Sequence, residues 1–174
     1  MFFYFDEQIR AYEEHFQWDE SLIYLEKRYM QSKKSSMLSA LVGYSWLYLV
    51  EGPIISGKYE NDDSIFPIQY WEKYINIGLD TARDDPQFNF IAGYTLSLDW
   101  YYLGPIYEQD GYLLMKRCAE NTDELYLRDI AHNFILNARS KEYIPLSNGD
   151  AICSSLFRGG SLLDQYFCEI YKSQ

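Results

Sequence analysis

Three short strings recur along the chain: IYLEKRY at 23–29, QYWEKYI at 69–75 and YLLMKRC at 112–118. With Lys27, Lys73 and Lys116 aligned, they lie 46 and 43 residues apart. Each is followed by a second helix-like stretch: SSMLSALVGYSWLYLVEG, PQFNFIAGYTLSLDWYYLG and TDELYLRDIAHNFILNAR. The first two share a Gly-Tyr pair, Gly43-Tyr44 and Gly93-Tyr94. A period in the forties built from two helices is the pattern of stacked helical hairpins, whose units bury their apolar faces only against neighbours. The expected fold is therefore all-α: antiparallel hairpins in a short repeat array, closed by a C-terminal capping helix, in one domain over 1–174.

Local signals agree. Ile68, Trp71, Ile75, Leu79 and Ala82 fall three or four apart on one stripe, which marks an amphipathic helix. Ser64 is placed to cap it. Asp85-Pro86 reads as N-cap and first helical residue, where proline's missing N–H costs nothing. Asn121 with Glu124 suggests a capping box for a later helix. Two aromatic runs, WLYLVEGP and DWYYLGP, end on Gly-Pro. Gly52 and Gly104 can take left-handed backbone, and Pro53 and Pro105 cannot continue a helix. These pairs predict stops. The map is helices near 6–17, 19–32, 35–51, 64–83, 86–103, 106–119, 122–139 and 161–172, with long connections at 52–63 and 140–160.

Composition narrows the function. The chain carries 26 acidic and 15 basic residues, a net charge of −11, so phosphate backbones and anionic lipid surfaces are disfavoured partners and cationic ones favoured. The apolar stretch Leu38–Val50 falls short of the ~20 residues that span a bilayer. The N-terminus, MFFYFDEQIR, has no basic region ahead of its apolar residues and does not read as a secretory signal. Cys118, Cys153 and Cys168 are odd in number and form no CxxC, which fits a reducing compartment. The expectation is a cytoplasmic protein that contacts neither nucleic acid nor membrane.

No catalytic pattern stands out. GxSxG, HExxH, GxGxxG and P-loop strings are absent, and His15 and His132 lie far apart without ligand spacing. His132, between Leu125 and Leu136, is expected at a core edge. ENDDS lacks the frame of a calcium loop. No metal, cofactor or enzymatic activity is expected; a dispersed carboxylate or Cys–His site is the remaining catalytic alternative. What recurs is an aromatic next to acids: Tyr59 and Glu60 with Asp62 and Asp63, Asp99 with Trp100, Tyr107 with Glu108 and Asp110, besides the turn pair Asp84 and Asp85. Such groupings suit the gripping of Lys and Arg by ion pairing and cation–π contact.

The hairpin period resembles the tetratricopeptide-type repeat superfamily, although its full consensus is absent and the insert at 52–63 breaks its regular length. In size, acidity, aromatic richness and its YLEKRY and YWEKYI helices, the chain also resembles the small all-helical immunity proteins of bacterial contact-dependent inhibition systems. That resemblance implies a stoichiometric inhibitor of a basic, nuclease-type toxin domain. The alternative is an adaptor holding a peptide in a concave groove lined by the 19–32, 64–83 and 106–119 helices.

Overall fold

The computed structural model describes residues 2–52, 65–140, 143–158 and 160–172. Among them there is helix and turn, and no strand. The α-helices are α1 (Glu7–Glu14), α2 (Trp18–Ser32), α3 (Ser35–Val50), α4 (Ile65–Thr81), α5 (Pro86–Asp99), α6 (Asp110–Asn121), α7 (Leu125–Arg139), α8 (Gly149–Ser155) and α9 (Leu162–Lys172). Short 3₁₀ turns at Trp100–Tyr102 and Pro105–Tyr107 join α5 to α6.

The stretch too short to cross a bilayer is the hub. Every residue of α3 from Met37 to Leu49 is buried, as expected of a helix apolar on all sides. Its two interior serines stay satisfied by turning back on their own helix: Ser39 donates to the Ser35 carbonyl and Ser45 to those of Leu41 and Val42. α2, α4, α5 and α9 all pack on α3, and α5, α6 and α7 then follow one another outward. No helix among the described residues is long and apolar enough to cross a membrane.

The two Gly-Tyr pairs each lie at a close helix contact, against different neighbours. A Cβ on Gly43 would meet Leu163 at 2.6 Å and Ile91 at 3.2 Å; one on Gly93 would meet Met115 and the Gly111 carbonyl at about 3 Å. Each glycine thus lets a neighbouring helix approach, while its tyrosine turns into the core. The C-terminal helix covers the bare face of α3 and does more. Phe167 and Tyr171 join Phe3, Phe90 and Phe157 in a stacked and tilted aromatic cluster, with Phe3 and Phe167 centroids 5.7 Å apart. The first and last helical segments therefore share one core.

Several local expectations change. Asp85 does cap α5, accepting from Phe88 N at 2.9 Å with Pro86 at the first position. The cap of α7 is Glu124, accepting from the Leu127 amide; Asn121 is instead the last residue of α6. Ser64 lies outside the described residues. Gly52 is itself helical, and a Cβ there would meet the Trp18 indole at 3.3 Å, a tight contact. Gly104 alone takes the positive φ foreseen for both, +115° with ψ 166°, a region reserved for glycine. The connection 140–160 contains α8, too short for a clear period. Asn137 fastens its approach, accepting from Ile144 N at 2.6 Å and donating to Ile144 O at 2.9 Å.

Candidate partner-binding corner

The stop at Gly104-Pro105 builds the most distinctive surface. α5 gives way at Asp99 to the 3₁₀ turn Trp100–Tyr102, the chain reverses at Gly104, and a second 3₁₀ turn leads into α6. Two features hold this corner in place. Gly111 at the start of α6 presses on Ser97, whose Oγ and backbone N would lie 2.4 and 2.7 Å from an added Cβ. Tyr107 is buried, its hydroxyl donating to Asn76 Oδ1 of α4 at 3.0 Å.

On this frame Leu98, Tyr101, Tyr102, Ile106 and Leu113 stand exposed, Ile106 at 79% and Tyr101 at 58%. Asp99 determines how Tyr101 stands. One carboxylate oxygen accepts from the buried Trp46 indole at 2.7 Å, and the other from the Tyr101 hydroxyl at 2.8 Å. The hydrogen bond to Asp99 pushes the Tyr101 phenol above its ordinary range, so it stays a neutral donor. A chain of contacts thus runs from the core through Trp46 and Asp99 to an exposed ring. An aromatic held this way loses little conformational freedom when a partner covers it. Tyr102 lies against it, centroids 4.6 Å apart.

The electrostatics point one way. From residue 84 to residue 115 the sequence has Asp84, Asp85, Asp99, Glu108 and Asp110 and no Lys, Arg or His. None of these acids enters an ion pair among the described residues. Glu108 is exposed and Asp110 half-buried in the first turn of α6. Apolar and aromatic side chains with a rim of uncompensated carboxylates make a surface for a cation carried on an apolar neighbourhood.

The residues singled out from the sequence do not form one site. Asp99, Trp100, Glu108 and Asp110 gather at the corner. Asp84 and Asp85 sit at the opposite end of α5, about 20 Å away for a helix of that length, and Asp85 is engaged as a cap. Tyr107 is a correction: its ring is buried and its hydroxyl bonded to α4, so it secures the corner and offers no face to a partner. Tyr59, Glu60, Asp62 and Asp63 lie outside the described residues. Tyr101, Tyr102 and Ile106 carry no partner signal of their own in the sequence, where they read as a helix's final turn and the start of the next. The absence of any basic residue over 84–115 is the signal that marks the segment.

Other chemistry is poorly provided for. Among the described residues no group of three or more His, Cys, Asp or Glu could hold a metal ion. The three cysteines are free thiols; burial pushes Cys118 and Cys168 up to about 12, away from the thiolate form a nucleophile needs. His132 is exposed on α7, with Leu125 and Leu136 exposed too, so the face expected at the core edge looks outward. Between α2 and α4, Glu26 accepts from Tyr70, Lys73 and Tyr74, which ties together two helices expected to line an open groove. No protein-family model, curated protein or solved structure matches the chain.

Proposed function

We propose that this chain is an immunity-type inhibitor that binds the cationic, nuclease-type domain of a bacterial toxin and covers its active site. The observation supporting this reading is the corner at 98–113: a tyrosine pinned by a core-anchored carboxylate, bare apolar neighbours, and acids with no ion pair among the described residues. Asp99, Glu108 and Asp110 would steer a positive surface into register, and Tyr101, Tyr102 and Ile106 would supply the desolvated centre. Such a protein acts by occupancy, without turnover and in the compartment its toxin attacks, the cytoplasm.

The test pairs the chain with the basic toxin domain encoded beside its own reading frame, measured by calorimetry and by rescue of growth on co-expression. A 1:1 complex is expected. Tyr101→Ala should weaken it about thirtyfold, as loss of a central aromatic anchor does. Glu108→Lys should chiefly slow association and flatten its salt dependence. A complex indifferent to Tyr101→Ala and Ile106→Asp removes the corner from the interface; no binding and no rescue remove the function.

A further inference from the structure

The two ends of the fold meet over a carboxyl group that the proposed function does not use. Glu13, in the last turn of α1, is 8% exposed, and both of its carboxylate oxygens lie 3.3 Å from the amide of Leu162 at the start of α9. Next to it, Ser161 and Asp164 cap α9 reciprocally: the Asp164 amide donates to Ser161 Oγ at 3.0 Å and the Ser161 hydroxyl donates to Asp164 Oδ2 at 2.9 Å. Asp164 is 1% exposed, so two carboxyl groups are buried side by side where first and last helices join.

The charged and titratable groups facing Glu13 come from each neighbouring helix. α1 itself contributes the guanidinium of Arg10; α3 contributes the neutral phenols of Tyr44 and Tyr48; α9 contributes Asp164. α2 reaches the site through the Ser21 hydroxyl, 3.0 Å from that of Tyr48. A cleft of about 400 Å³, lined by Arg10, Glu13, Glu14, Phe16, Leu162 and Gln165, opens beside Glu13. Among the described residues, the cation set against Glu13 is Arg10, at the cleft.

We propose that Glu13 is a proton-operated clasp: carrying its proton it seats α9 on α1 and α3, and ionised beside Asp164 it releases α9. Burial first, with the Asp164 charge adding, pushes Glu13 up to about 7 against the opposing pull of the Leu162 amide and Arg10. The sign follows from linkage. Between the ordinary carboxyl value of 4.5 and about 7, the seated state holds a proton that the released state has lost. Raising the pH through that window therefore favours release. Because α9 carries Phe167 and Tyr171, release also opens the aromatic cluster around Phe3 and Phe90.

Hydrogen exchange on the full chain tests the clasp, with protection factors of the Phe167 and Tyr171 amides followed from pH 5.5 to 8. The wild type should lose about thirtyfold in protection across that range, the ratio set by a carboxyl moving from an ordinary pKa to one near 7. Glu13→Gln should be flat over the same range; parallel profiles for the two proteins overturn the proposal. Where Glu13→Gln does not fold, a carbon-detected NMR titration of native Glu13 decides: a midpoint near 7 supports the clasp, and one in the ordinary carboxylate range overturns it.

Discussion

The shoulder around Glu26 and the corner around Asp99 use the same materials to opposite ends. At the shoulder, Glu26 accepts from Tyr70 at 2.8 Å, Tyr74 at 2.6 Å and Lys73 at 2.5 Å, and the tyrosines lie against one another between α2 and α4. Burial raises Glu26, and these three donors more than offset it, holding the group below the usual carboxylate range. At the corner, Asp99 likewise has two aromatic donors, but one is deep in the core and the other on the surface. The first cluster closes a seam between helices. The second holds a ring out from the surface. An acid among aromatics is thus informative only when the origin of its donors is known.

The comparison breaks most visibly if the corner's frame can be changed without effect. Gly111→Ala places a methyl against Ser97 backbone and should cost about 3 kcal/mol in urea unfolding, since α5 and α6 must separate. An unchanged midpoint would mean that the close approach is not what sets the corner. Next comes Asp99→Ala, expected to cost about 2 kcal/mol because the buried Trp46 indole loses its acceptor. The same substitution should loosen the Tyr101 ring, visible as averaged side-chain NMR signals. Glu26→Gln, which keeps the shape of the shoulder and removes its charge, should cost about 1 kcal/mol. It should leave partner binding at the corner untouched; coupling between the two would make them one region.

The smallest expected effect is a pH dependence that distinguishes the seam from the clasp. Asp6 is raised by burial but held below its ordinary value by the hydroxyls of Tyr4 and Tyr24 and the amides of Ile9 and Gln8. Groups with lowered folded pKa values, such as Asp6 and Glu26, add stability that is present above their ordinary values of 3.8 and 4.5 and is lost as the pH falls through the folded ones. Glu13 has the reverse sign, its stabilising effect fading as the pH rises towards 7. Unfolding midpoints from pH 3 to 5 should therefore fall more shallowly for Glu26→Gln than for the wild type. Identical slopes would show that the Glu26 cluster carries no linked protons.

Helix identity could be derived from the sequence because the causes are local: the stripe through Trp71 and Ile75, the Asp85-Pro86 start, and the Gly104-Pro105 stop each act within a turn or two. Boundaries slipped where long-range contacts decide them. The expected 86–103 helix breaks into a 3₁₀ turn at Trp100, and Glu124 takes the cap expected of Asn121. The candidate site was half visible. Adjacent letters exposed the Asp99-Trp100 pairing, but the true partner of Asp99 is Trp46, 53 residues away. Beside Glu108, Tyr107 reads in the sequence as a partner-facing ring, whereas the packing of α4 on the second 3₁₀ turn draws it inside. The Glu13–Asp164 pair had no local mark, its members being brought together only by tertiary structure.

The late arrival of α9 has a consequence for how the chain acquires its shape. Contacts between Glu13 and Leu162 span 149 residues, so closing that loop carries a large entropic penalty and should come after the local hairpins have formed. During synthesis α3 leaves the ribosome early, with one flank waiting for a cover made more than a hundred residues later. Until then an oily strip around Gly43 and Tyr44 is open to passing chaperones or to another nascent chain.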